Sequence, residues 1–170
     1  MAEVRFSSPL VLREASSMPA SLAAPILVVE DSDDDFDTMM EAARGVGMTR
    51  TIHRATSGGN CLALLRGGNG QGETHLTVLP VLILMDLNSH GIDGREALVA
   101  IKTDVGLKEI PLVVLTTSAN PKDVAFCYRA GANAYHVKPV RHDHYVLLLR
   151  SLLDYWLERA TLHTATVKVG

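Results

Sequence analysis

The sequence predicts an α/β domain built on a doubly wound, five-stranded parallel sheet. Three observations carry that prediction. Short apolar runs end in polar residues, most clearly at Ile26-Leu27-Val28-Val29, at Val81-Leu82-Ile83-Leu84-Met85 and at Leu112-Val113-Val114-Leu115. Stretches with helical spacing of apolar residues lie between them, so strands and helices alternate. The runs themselves are unbroken by polar residues, which suits strands covered by helices on both faces.

The elements follow in order. Residues 1–24 are rich in Ser, Ala and Pro with weak periodicity, and a loose N-terminal extension is expected there. The first buried strand ends in Glu30-Asp31. Ser32 is a good N-cap, and Asp33, Asp34 and Asp35 fall in the first helical turn, where the helix dipole favours anions. That helix carries Phe36, Met39, Met40 and Ala43 and stops at Gly45 and Gly47. Thr51 to Ala55 reads as a short strand. Ser57 caps a helix bearing Cys61, Leu62, Leu64 and Leu65, and the Gly-rich run 67–72 makes a loop. After the strand ending at Asp86, Gly94 opens a helix with Ala97, Leu98 and Ile101. Pro111 leads the strand that ends in Thr116-Thr117-Ser118. Pro121 suits a first helical position, and Gly131 ends that helix. Ala134 to Val137 is a short strand ending at Lys138-Pro139, and one long helix is expected from about Arg141 to Arg159. The expected domain is 25–159, with 160–170 as a tail.

The chain has 170 residues, a net charge of -3 and a pI near 6.1. That balance gives no broad attraction to nucleic acid or to an anionic membrane. No apolar stretch is long enough to span a bilayer, and the N-terminus lacks the apolar core of a signal peptide. Cys61 and Cys127 read as small buried residues more readily than as a disulfide. A cytoplasmic protein is expected.

Right-handed crossovers bring every C-terminal strand end to one edge of the sheet, where open α/β folds bind ligands. Glu30, Asp31, Asp86, Thr116 and Lys138 each lie at such an end. Three carboxylates gathered there repel one another and call for a cation. Carboxylate oxygens with open water positions suit a hard ion, and Mg²⁺ is the usual one beside phosphate. Lys138 adds a positive charge, and the Thr116 hydroxyl can donate to an anionic oxygen. Such a set can stabilise a phosphoryl group in flight and then on a carboxylate.

The acidic pair Glu30-Asp31, the acceptor Asp86, Thr116, Tyr135 and Lys138-Pro139 together resemble the receiver domain of two-component response regulators, a flavodoxin-like fold. The spacing fits, with 30 residues from Asp86 to Thr116 and 22 more to Lys138. The segments Val28 to Ser32, Met85 to Asn88, Asp93 to Glu96, Val114 to Ser118 and Asp154 to Leu157 further resemble single-domain regulators that partner phytochrome-type photoreceptor histidine kinases. The resemblance implies that Asp86 accepts a phosphoryl group from a kinase phosphohistidine. It implies that Asp31 and Asp86 bind Mg²⁺, that Glu30 holds the ion through water, and that the backbone carbonyl of Asn88 completes the site. Lys138 would bridge to the phosphoryl oxygens, and its peptide bond to Pro139 would be cis. Thr116 would move toward the phosphoryl group and let Tyr135 turn inward. The family often has Pro four residues after the acceptor, where this chain has His90, and a smaller residue where it has Thr117.

Plainer readings stand beside these. Glu30-Asp31 alone also suits helix capping, and Asp33 to Asp35 suit dipole compensation better than metal binding. Lys138 alone reads as a solvated lysine, and Tyr135 reads equally well as a packing residue. His142 and His144, two apart on a helix, make a poor metal pair.

The last helix is apolar over more than half its circumference, more than one sheet face needs. A homodimer through Leu149, Leu152, Tyr155 and Trp156 is expected. The alternative is that the tail folds back over that face. Only about a dozen residues follow the helix, too few for a DNA-binding module, so a stand-alone regulator with output through protein contacts is expected, not an enzyme. Two rivals are a receiver that is never phosphorylated and an aspartate-nucleophile phosphatase. The latter class usually has a second acid two residues past the nucleophile, where this chain has Asn88.

Overall fold

Apolar side chains on both faces of a strand need cover on both sides, and three strands here have it throughout. β1 (Ile26–Val29), β3 (Leu82–Met85) and β4 (Leu112–Thr116) are buried at every position. β2 (Ile52–Ala55) and β5 (Ala134–Val137) are only partly covered. They are the edges of a fully parallel sheet with strand order β2-β1-β3-β4-β5. The computed structural model describes residues 24–67, 76–88 and 94–163. The expected N-terminal extension up to residue 23, the Gly-rich loop beyond Gly67, His90 and the end of the tail lie outside them.

Among the described residues five α-helices flank the sheet: α1 (Asp33–Gly45), α2 (Gly58–Arg66), α3 (Gly94–Thr103), α4 (Pro121–Arg129) and α5 (His142–Asp154). The period of two along each strand sorts its side chains between two cores. Leu27, Val29, Ile83, Met85, Leu112 and Val114 pack with Cys61, Leu98, Ile101 and Cys127 beneath α2, α3 and α4. Ile26, Val28, Leu82, Leu84, Val113 and Leu115 pack with Met39, Leu149 and Leu153 beneath α1 and α5. The expected caps form, Ser32 accepting from the Asp35 N–H and Ser57 from that of Asn60. Both cysteines are buried and free.

The last helix departs from expectation. α5 stops at Asp154, and Tyr155–Arg159 form one π-helical turn, closed by the Ala160 N–H on the Tyr155 carbonyl. The wider turn changes the helix phase. Trp156 and Leu157 pack toward the core, whereas Tyr155 is 54% exposed with its ring edge-on to Trp156. Leu149 and Leu152 are not surface groups, as a dimer contact would require. They are 0% and 6% exposed, because α5 packs against α1 as well as against the sheet. Part of the tail does fold back, since Leu162 packs on the same core and His163 pairs with Glu109 at 3.3 Å. Among the described residues no helix is long and apolar enough to cross a membrane.

Candidate functional site

The sheet order reverses direction between β1 and β3, and the crevice at such a switch point is where this architecture places ligands. Glu30 and Asp31 follow β1, and Asp86 follows β3. Their backbones are fixed by ladder bonds that continue past the strands. The Asp86 N–H donates to the Val29 carbonyl at 2.9 Å, the Glu30 N–H to Ala55 at 2.9 Å, and the Lys138 N–H to Thr116 at 2.8 Å. The sheet thus sets the positions of Glu30, Asp86, Thr116 and Lys138, all of which are buried. Gly94 is required just beyond. A Cβ there would lie 2.7 Å from the Leu87 Cα and 2.8 Å from the Asp86 carbonyl oxygen, so only glycine lets α3 approach the acceptor's backbone.

Lys138 stands at the centre. Its ammonium donates to Glu30 Oε2 at 2.6 Å, Asp35 Oδ2 at 2.7 Å and Asp86 Oδ2 at 2.9 Å. An ammonium has three N–H donors, and all three are used. The Tyr145 ring of α5 lies 5.9 Å from Nζ. Burial alone would lower the Lys138 pKa, but the surrounding anions raise it above the ordinary lysine value. Tyr145 is itself held above the usual phenol range by burial, so it is neutral at pH 7 and the carboxylates carry that effect. Burial pushes Glu30 up despite its bond to Lys138. The peptide bond from Lys138 to Pro139 is trans, correcting the expected cis form. Trans is the lower-energy isomer, and the lysine reaches all three carboxylates from it.

The other side of Asp86 is built from neutral groups. Asp86 Oδ1 accepts from the Asn88 N–H at 3.0 Å. The Asn88 amide donates to Thr116 Oγ1 at 3.1 Å and to Thr117 Oγ1 at 3.4 Å. Thr116 Oγ1 also accepts from the Ser118 N–H at 3.3 Å. The Ser118 hydroxyl donates to Asp123 Oδ2 at 2.6 Å, and Arg95 holds Asp123 Oδ1 at 3.0 Å. Those two bonds, Ser118's first, keep the Asp123 carboxyl below its usual range. The Tyr135 hydroxyl donates to the Ser118 carbonyl at 2.8 Å.

The structure therefore brings Glu30, Asp86, Lys138, Thr116 and Asn88 together, with Tyr135 one hydrogen bond beyond. Four groups that sequence reasoning did not place also act here. Asp35 and Tyr145 surround Lys138. Arg54 clamps the turn after β1, donating to the carbonyls of Glu30 at 2.8 Å and Asp31 at 3.0 Å and to Asp33 Oδ1 at 2.6 Å. Asp123 braces the turn after β4. His142 pairs with Glu41 at 3.1 Å, away from this site.

The donor set suits a hard divalent cation. Glu30, Asp35 and Asp86 surround a single ammonium, leaving the cluster net negative. Among the described residues no three His, Cys, Asp or Glu side chains converge as metal ligands, since Lys138 stands between the carboxylates. An ion there would draw on Asp86, Asp31, a backbone carbonyl and water, a mixture that Mg²⁺ favours.

Comparison with known proteins decides the family. Residues 26–150 match the response regulator receiver domain. The chain belongs to the response regulator receiver family. It is 36% identical to the response regulator Rcp1 of Synechocystis over 82% of this chain and 93% of that one. It is 34% identical to a probable methanogenesis regulatory protein, FilR2, of Methanothrix harundinacea, over 78% of this chain and 83% of that one. Among solved structures it resembles the phosphorylated cyanobacterial phytochrome response regulator RcpA, with a TM-score of 0.77 and 34% identity over 83% of this chain and 99% of that one. The Mn²⁺-bound form of Rcp1 gives a TM-score of 0.77 at 35% identity, covering 83% of this chain and 99% of that one. The chain is a receiver domain of two-component signalling.

Proposed function

We propose that Asp86 is the phosphoryl acceptor of this receiver and that its donor is the phosphohistidine of a sensor histidine kinase, of the phytochrome type by likeness to RcpA. The observation that carries the reading is Lys138 Nζ, 2.9 Å from Asp86 Oδ2 in a buried site at the switch point of the sheet. An Asp86 oxygen attacks phosphorus, the P–N bond breaks, and the imidazole keeps the bonding pair. Lys138 neutralises charge on the transferred group, and the Asn88 N–H holds the carboxylate in place. Asp31, Asp86 and the Asn88 carbonyl would hold Mg²⁺, with Glu30 acting through water. Bound Mg²⁺ supplies charge neutralisation and orientation of the phosphoryl oxygens. Thr116 then leaves Asn88 for a phosphoryl oxygen, and Tyr135 leaves Ser118. The protein acts by accepting this group and binding partners, not by turning over a substrate.

The test is intact mass after incubation with Mg²⁺ and acetyl phosphate, wild type beside Asp86→Asn. Gain of one phosphoryl group by the wild type alone is expected. Equal gain by both proteins would sink the assignment. For self-association, the face left open on the last helix is Leu147 and Tyr155, 58% and 54% exposed and eight residues apart. A homodimer through that strip becomes monomeric on Leu147→Glu, read by sedimentation. Trp156→Glu is a poorer probe, because Trp156 also packs on the core.

A further inference from the structure

All three donors of Lys138 are occupied before any phosphoryl group arrives. Bonding to a phosphoryl oxygen therefore means that Lys138 gives up a carboxylate. The three candidates differ. Glu30 is 6% exposed at its side chain, and its other oxygen is fixed by the Ser32 N–H at 3.0 Å. A Glu30 carboxylate stripped of Lys138 would be a buried anion without its cation, which is costly. Asp86 is the acceptor and stays in the site. Asp35 is 35% exposed at its side chain, so water can take over its oxygens. It also lies in the first turn of α1, where the helix dipole keeps an anion favourable after the lysine departs.

We propose that Asp35 is the counter-ion Lys138 releases when the phosphoryl group arrives, and that it is a positioning residue setting how readily Lys138 is available. The proposal rests on the reading of Asp86 as acceptor. Asp35 competes with the incoming anion for one ammonium proton. Neutralising it removes the competitor without touching the acceptor, Glu30 or Asp31. The chemistry of transfer is unchanged, and the equilibrium between resting and phosphoryl-engaged lysine moves toward engagement.

The experiment compares wild type, Asp35→Asn, Asp35→Ser and the control Asp37→Asn, which removes an exposed carboxylate two residues along the same helix. Titration with beryllofluoride in Mg²⁺ is expected to show binding about fivefold tighter in both Asp35 variants, the weight of one part-exposed charged hydrogen bond. Asp37→Asn is expected to match wild type. Proton exchange of the Lys138 ammonium, followed by NMR in metal-free protein, is expected to be faster in both Asp35 variants. In wild type, the Asp35 carboxyl carbon signal is expected to move to a solvated position on adding beryllofluoride, with that of Glu30 held. Equal binding by wild type and Asp35→Asn, the same tightening in Asp37→Asn, or unchanged ammonium exchange would overturn the proposal alone. No beryllofluoride binding by wild type would overturn the acceptor reading, and the release with it.

Discussion

The two oxygens of Asp86 face two differently built regions. On the Oδ2 side, Lys138, Glu30 and Asp35 form ion pairs of 2.6 to 2.9 Å, with the lysine 5% exposed. On the Oδ1 side, the Asn88 N–H donates to the carboxylate at 3.0 Å, and behind it Asn88, Thr116 and Ser118 are joined by neutral bonds of 3.1 and 3.3 Å. Charged bonds in a dry site are strong and costly to leave half-made, whereas neutral ones exchange with water at little net cost. The buried Lys138, Glu30 and Asp86 are therefore the fixed wall of the site, and the hydroxyl side, together with the part-exposed Asp35, is the part able to change partners.

The comparison is tested hardest at Lys138. Lys138→Met leaves Glu30, Asp35 and Asp86 together without their cation, and a loss of about 3 kcal/mol in urea unfolding at pH 7 is expected. Part of the loss is expected to return with added Mg²⁺, and part on lowering the pH, as Glu30 is already inclined to take a proton. A loss no larger than that of a neutral-side substitution would remove the distinction.

The ionic side also carries a signature at high pH. Lys138 and Tyr145 both have folded pKa values raised above their ordinary 10.5 and 10.0. Each proton is held more tightly in the fold than in the open chain. The stability they contribute is complete below those ordinary values and is lost as pH rises through the folded ones. Tyr145→Phe keeps the ring over Lys138 and removes one proton. The decline of unfolding free energy above pH 10 is then expected to be shallower by up to about 1.4 kcal/mol per pH unit. An unchanged slope would show that the phenol titrates normally.

On the neutral side, Thr116→Val preserves shape and removes the acceptor for the Asn88 amide and the Ser118 N–H. A loss of about 1 kcal/mol is expected, with a larger relative effect on beryllofluoride binding than on stability. A stability loss equal to that of Lys138→Met would mean that the hydroxyl side is as fixed as the ionic one.

What was legible in the sequence follows the same division. Glu30, Asp86, Thr116 and Lys138 could be read because each lies at the end of a strand, and parallel topology does the rest. Asp35 was not legible, because an aspartate in a first helical turn already has a sufficient local explanation. Arg54 lies in a short strand whose sequence does not mark it off from any other polar strand residue, and Tyr145 sits within the apolar pattern of α5. Leu149 and Leu152 were misplaced because a helix's apolar circumference does not say how much of it other helices take. Here α1 takes a share. The trans bond at Pro139 left no mark in the sequence either.

The smallest expected effect lies farthest from Asp86, at Asp123. Its pair with Arg95 is partly open to water and adds little to folding at neutral pH. Its lowered pKa makes any contribution complete above the ordinary 3.8 and lost only as pH falls below it. Asp123→Asn is therefore expected to leave the unfolding midpoint near that of wild type. It weakens the hold on the Ser118 hydroxyl, and Ser118 carries both the N–H on Thr116 and the carbonyl that receives Tyr135. Hydrogen exchange of the Ser118 amide is expected to quicken, and the Tyr135 ring signals to shift toward those of the beryllofluoride-bound protein. A variant with normal Ser118 exchange would show that Thr116 and Tyr135 hold this turn unaided, which would place the boundary between the fixed and the movable region at Ser118 instead of at Asp86.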